Sequence, residues 1–166
     1  MGLLNNVDLI RVLLILILLY LSYVDLRSFR LPDLITLPLI VAGIVFNFLS
    51  ASHYVDVTDS IIGTLMGYGS LWLLNYLYRL IKRQAGIGMG DAKLLAALGA
   101  WLGWSALPSI LLFSSISGLI GGMIYLKWRK QNSQQAFPFG PFLAFAGIIE
   151  LLWPQNLLTF LLGNLT

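Results

Sequence analysis

This chain reads as an all-α protein, a polytopic membrane helix bundle of about six transmembrane helices, on three observations. Of its 166 residues, 58% are hydrophobic and only 10% charged, whereas soluble domains carry roughly 25% charged residues. The apolar residues fall in long runs, several of them near the ~20 residues a helix needs to cross a bilayer. No strand pattern competes, because only helices and closed barrels satisfy their backbone groups in lipid. At this length, residues 1–166 form one expected domain without a separate soluble module.

The runs in order are about 8–25, 34–50, 60–80, 91–104, 106–127 and 140–162. The first apolar stretch, Leu9 to Tyr23, is followed by Asp25, Arg27 and Arg30 rather than by small residues, so it reads as a span and not as a cleavable leader. The fourth run is short. The sixth is interrupted by Trp153-Pro154-Gln155-Asn156, where a kink or an end is expected. Pairs of glycines at four-residue spacing (Gly63/Gly67, Gly99/Gly103 and Gly118/Gly122) let neighbouring helices approach closely, and are read as packing alone. The five tryptophans lie mostly near span ends, as interfacial anchors do.

Basic residues set the sidedness. Arg27, Arg30, Arg79, Lys82, Arg83, Lys93, Lys127, Arg129 and Lys130 all fall in or beside the odd-numbered loops, and Arg11 alone falls on the other side. The excess of Lys and Arg on cytoplasmic loops makes the odd loops cytoplasmic and places both termini outside. The net charge of +3 is modest, and no nucleic-acid partner is expected. The absence of cysteine excludes disulfides, thiolate zinc sites and a cysteine nucleophile. His53 is the single histidine and has no companion cluster, so neither a metal nor a cofactor is expected.

Seven carboxylates in so apolar a chain can be weighed singly, since an ionisable group at membrane depth is expensive. Asp8, Asp56 and Asp59 fall at outer span ends, where water reaches them. Asp33 follows Pro32 and precedes an apolar run, which is a helix-start signature, so capping accounts for it at least as well as a chemical role. Asp25 closes the first span. Asp91 closes Gly86-Ile87-Gly88-Met89-Gly90-Asp91 and opens the fourth, and the glycines before it admit a tight bend or a close neighbour. Two carboxylates at one depth on separate helices suit aspartyl chemistry, in which one takes a proton from water and the other hydrogen-bonds the scissile carbonyl. A pair of helix-capping aspartates has the same placement, and both readings stand on position alone. If opposite helix ends divide the labour, Asp91 is the base and Asp25 the proton-bearing partner.

The flanking residues carry a resemblance. Asp25-Leu-Arg-Ser-Phe-Arg-Leu-Pro-Asp33 resembles the first-aspartate motif of bacterial type IV prepilin peptidases. Gly88-Met-Gly90-Asp91-Ala-Lys93 is similar to their glycine-x-glycine-aspartate signature, and Phe137-Pro138-Phe-Gly140-Pro141-Phe-Leu-Ala144 to their C-terminal segment. The three blocks come in the family's order. The resemblance implies an intramembrane aspartyl endopeptidase of the bacterial inner membrane, with Asp25 and Asp91 catalytic. It would remove the short basic leader of type IV prepilins or pseudopilins at the cytoplasmic face. It further implies that Gly88, Gly90 and Lys93 support the motif. Full-length members carry two C-x-x-C pairs and methylate the new N-terminus, so from this cysteine-free chain an unmethylated product is expected. Two alternatives remain: a related protease acting on other membrane helices or signal peptides, and a membrane subunit that binds pilins without cutting them.

Three further features admit more than one reading. Lys93 either biases Asp91 or anchors the cytoplasmic boundary. Pro138, Gly140 and Pro141 form a candidate segment for admitting substrate, although a turn alone explains them. Glu150, inside an apolar run, is protonated, paired with a polar group such as Asn75, or close to the outer surface.

Overall fold

The structure, a computed structural model, describes residues 6–49, 54–82, 88–129 and 138–153. Among them are six α-helices: α1 Asn6–Ser28, α2 Asp33–Leu49, α3 Val57–Lys82, α4 Met89–Leu102, α5 Leu107–Arg129 and α6 Gly140–Leu152. A single 3-10 turn, Trp104–Ala106, joins α4 to α5. The all-α expectation of about six helices matches. α1 and the stretch Trp104–Ile124 are long and apolar enough to cross a membrane.

The side chains are arranged inside out relative to a helix in water. The buried positions of α2 are Thr36, Leu39, Gly43 and Asn47, and those of α3 are Ser60, Gly63, Gly67, Leu71 and Asn75. Both sets recur every three or four residues, which is one helix face, and apart from Leu39 and Leu71 that face is small or polar. The outward faces carry Leu34, Val41, Val45 and Phe48 on α2, and Ile61, Leu65, Met66 and Leu73 on α3. Lipid tails are as apolar as leucine, so burying leucine gains little there. Close backbone contact and interhelical hydrogen bonds hold such a bundle together.

The centre is α4, which packs along α3 and against α2 and α6, while α1 and α5 pack on α6. It is apolar on all sides, with Ala92, Leu94, Leu95, Ala96, Ala97, Leu98, Ala100 and Trp101 all buried, as a fully enclosed helix should be. Its smallest residue meets the smallest on α3: Gly63 and Gly99 touch backbone to backbone, and a Cβ on Gly67 would lie 2.6 Å from the Leu95 carbonyl oxygen. Gly103 also lies against α3, its carbonyl carbon 2.8 Å from where a Cβ on Gly63 would be. It ends α4 at φ +79°, a left-handed conformation that suits glycine, and its amide donates to Gly99 O.

A helix that ends inside protein needs partners for its last carbonyls. Here neighbouring side chains supply them. Asn47 Nδ2 donates to Ala100 O and Trp101 O, and Ser60 Oγ donates to Ala100 O. The Trp101 indole lies over Gly43 and donates to Leu39 O at 2.9 Å. Trp101 is therefore a core residue, not the interfacial anchor its position suggested. Trp104 and Trp153 are exposed near helix ends.

Three boundaries bear on the expectations, the first two as corrections and the third falling where a kink or an end is expected. α1 runs a turn beyond Asp25, because Phe29 adopts φ +53° and its amide caps the Asp25 carbonyl at 2.8 Å, an αL helix ending built on phenylalanine. Asp33 is the first residue of α2 rather than its cap. The Pro32 carbonyl accepts the amides of Ile35 and Thr36 in the first turn. α6 stops at Leu152, with Trp153 at φ −131°, ψ 72°, so the run 140–162 is not one helix. Residues from 154 onward, like His53 and the Gly86-Ile87 part of the glycine segment, lie outside the described residues.

Candidate active site

The stripe that buries Leu14, Leu18 and Leu21 on α1 continues one turn to Asp25, so the carboxylate points into the bundle and is 4% exposed. Asp91 sits in the first turn of α4, on a helix enclosed on every side, and is 9% exposed. The charge of Asp25 reaches Asp91 electrostatically. The chain thus brings the two sequence-selected aspartates together, from residues 66 apart, at one end of the bundle. That end also carries Arg27 in the last turn of α1 and Arg79 and Lys82 in the last turn of α3.

Each neighbouring motif residue has a local task. Gly90 lies against Leu31 of the α1–α2 link, where a Cβ would come within 3.1 Å of the Leu31 Cβ. Gly88 precedes α4 in extended conformation, and its carbonyl accepts the Asp91 amide at 3.1 Å. Lys93 does not pair with Asp91. Its Nζ forms a 2.6 Å ion pair with Asp33 Oδ1, tying the start of α2 to the first turn of α4.

A third element enters the site from α6. The Gly140 amide donates to Asp25 Oδ2 at 3.1 Å, and a Cβ on Gly140 would lie 2.6 Å from that oxygen. Only glycine admits this approach. Pro138 is buried and Pro141 half-buried beside it. A backbone donor leaves no residue-type signal, although a glycine next to a proline at a helix start is the pattern that could have announced it.

Glu150 is not at this site. It lies buried ten residues along α6, where Ser109 Oγ of α5 donates to its Oε2 at 2.8 Å. Asn75, the partner considered from sequence, instead has its Nδ2 3.7 Å from Met89 Sδ.

Residues 12–123 match the type IV leader peptidase family. The chain belongs to that family. It is 44% identical over 149 residues, 90% of its length, to a prepilin leader peptidase/N-methyltransferase of Aeromonas salmonicida. It is 43% identical over 140 residues, 84% of its length, to the protein of that name from Pseudomonas aeruginosa, and 42% over 132 residues, 80% of its length, to that from Dickeya chrysanthemi. These alignments cover 50%, 48% and 46% of the three relatives, so the chain spans about half the length of the curated relatives it matches. No solved structure matches it. Both aspartates lie within the span that matches the leader peptidase family.

Proposed function

We propose that this chain is an aspartyl endopeptidase of the membrane that removes the basic leader of type IV prepilins or pseudopilins at the cytoplasmic face, with Asp25 and Asp91 carrying the reaction. The observation behind this reading is the meeting of two buried carboxylates from separate helices in a member of a leader peptidase family. Two carboxylates that share a site keep one proton between them, because like charges disfavour double ionisation. The carboxylate of the pair accepts a proton from water as the oxygen attacks the scissile carbonyl carbon, and the protonated partner hydrogen-bonds the developing oxyanion. Collapse of the tetrahedral species breaks the C–N bond, and the proton taken from water leaves on the new amine. Because the pair behaves as one unit, either carboxylate can hold the proton at rest. Asp25 lies about a turn short of the end of α1, so the helix terminus does not single it out as the proton-bearing member of the pair.

The cytoplasmic placement rests on the nine basic residues that the sequence puts in the odd loops; among the described residues, Arg27, Arg79 and Lys82 lie at the aspartates' end of the bundle. A substrate with a basic leader followed by an apolar helix would cross the boundary at that level. Incubating the purified protein in lipid with a panel of prepilins, followed by N-terminal sequencing of the products, tests the proposal. Cleavage between the basic leader and the apolar segment is expected. Binding without cleavage of any prepilin, or cleavage confined to other membrane helices, would overturn it.

A further inference from the structure

The first turn of α6 accounts for all its amides in a way that isolates one of them. The residue before the helix, Phe139, offers no side-chain cap. Pro141 has no amide hydrogen. Phe142 and Leu143 both donate to the Phe139 carbonyl, at 3.1 and 3.2 Å. Gly140 alone is left to donate outward, and it donates to Asp25. The direction of that donor is the direction of the whole turn.

What holds the turn is α5. The rings of Phe139 and Phe142 flank Gly140 in sequence and rest on two α5 glycines. A Cβ on Gly118 would lie 3.2 Å from Phe139 Cε2, and a Cβ on Gly121 would lie 2.5 Å from Phe142 Cζ. These glycines therefore act as seats for aromatic rings and do not join backbone to backbone, as Gly63 and Gly99 do. We propose that Gly118 and Gly121 are positioning residues for Asp25: by seating the two rings they set the depth and rotation of the α6 first turn, and through the Gly140 amide the orientation of the carboxylate. The inference rests on the reading of Asp25 as a reacting group. It gives α5, which supplies no group to the aspartate pair among its described side chains, a part in the chemistry.

The size of the effect follows from the geometry. Ordinary contact with a methyl group begins near 3.4 Å, so an alanine at 121 displaces the Phe142 ring by about 1 Å. Transmitted to Gly140, such a shift stretches a 3.1 Å hydrogen bond to roughly 4 Å, beyond hydrogen-bonding range. A 1 Å misplacement in a reacting constellation lowers turnover by about 100-fold.

The test uses the full chain in lipid with a prepilin substrate. Gly121→Ala should lower kcat about 10- to 100-fold with KM within about twofold, and adding Phe142→Val, which vacates the space, should restore at least tenfold of the loss. Gly118→Ala, with the looser contact, should show a smaller loss of the same kind. A second readout does not depend on turnover. The infrared band assigned to Asp25, by its loss in Asp25→Asn, should move in Gly121→Ala and return in the double variant. An unmoved band in Gly121→Ala, a change confined to KM, or a failure of Phe142→Val to rescue would overturn the proposal. If the wild-type chain cut no prepilin while the band still moved and returned, the positioning role would stand and the substrate assignment would fall.

Discussion

Replacing Asn47 with alanine probes how the short central helix can end inside the bundle. Asn47 Nδ2 donates to Ala100 O at 2.9 Å and Trp101 O at 3.3 Å, and its Oδ1 accepts the Tyr54 amide at 3.0 Å. Ser60 Oγ donates to the same Ala100 carbonyl. Alanine at 47 thus takes these bonds from Trp101 O and Tyr54 N but leaves Ala100 O its serine donor. A buried polar group deprived of its bond costs about 1–3 kcal/mol, which applies to the Trp101 carbonyl, and losing the half-buried bond to the Tyr54 amide adds about 0.5–1.5 kcal/mol, roughly 1.5–4.5 kcal/mol together. Ser60→Ala leaves Ala100 O bonded to Asn47 and should cost only about 0.5–1.5 kcal/mol. In the double variant that carbonyl loses both donors together, so the combined loss should exceed the sum of the single losses by about 1 kcal/mol or more. Denaturant titration in detergent micelles, followed by far-ultraviolet ellipticity, measures all three. Additivity within about 0.5 kcal/mol, or a Ser60→Ala loss equal to that of Asn47→Ala, would refute the reasoning.

Three further outcomes follow from the packing and the charges. Gly63→Ala should destabilise by about 1–3 kcal/mol or more, because its Cβ meets the Gly99 backbone, which has no rotamer to yield. Gly69→Ala on the same helix, with open space around it, should stabilise by roughly 0.5–1 kcal/mol in the same titration. Reversing the partly exposed pair by Asp33→Lys with Lys93→Asp should recover most of the thermal stability lost in either single variant, a loss of no more than about 1 kcal/mol. Cysteines introduced singly at Arg27, Lys82 and Arg129 of this cysteine-free chain should resist an impermeant thiol reagent added from outside and react once the cytoplasmic face is opened. Labelling of the position 82 variant from outside would reverse the orientation.

The parts legible in the sequence are those carried by residue type and period. Long apolar runs mark the helices because lipid leaves no other choice for the backbone. The aspartates stand out because so few charges surround them. The inward stripes of α2 and α3 are also present in the sequence, as Thr36, Gly43 and Asn47 and as Ser60, Gly63, Gly67 and Asn75 at helical spacing, although of these only Gly63 and Gly67 were read as packing positions. The extra turn of α1 escaped because its left-handed cap is Phe29, where glycine or asparagine usually gives the signal. Pairs far apart in the chain left no local trace. Lys93 with Asp33, and Glu150 with Ser109, are joined only by the packing of helices 60 and 41 residues apart. The Gly140 amide is harder still, since every residue but proline has one and only the fold decides what it meets.

The most direct measurement of the central claim is single-turnover cleavage of one prepilin by four forms of the protein in lipid: wild type, Asp25→Asn, Asp91→Asn and Asp33→Asn. The account predicts that asparagine at 25 or 91 abolishes cleavage while the protein stays folded and keeps its substrate affinity. Neither single amide can complete a proton-sharing pair of carboxyl groups. Asp33→Asn, which loosens only a partly exposed ion pair, should keep most of the wild-type rate. Near-normal cleavage by either Asp25→Asn or Asp91→Asn would contradict the claim that these two carboxylates do the chemistry, and a collapse confined to Asp33→Asn would move the site to the Asp33–Lys93 pair.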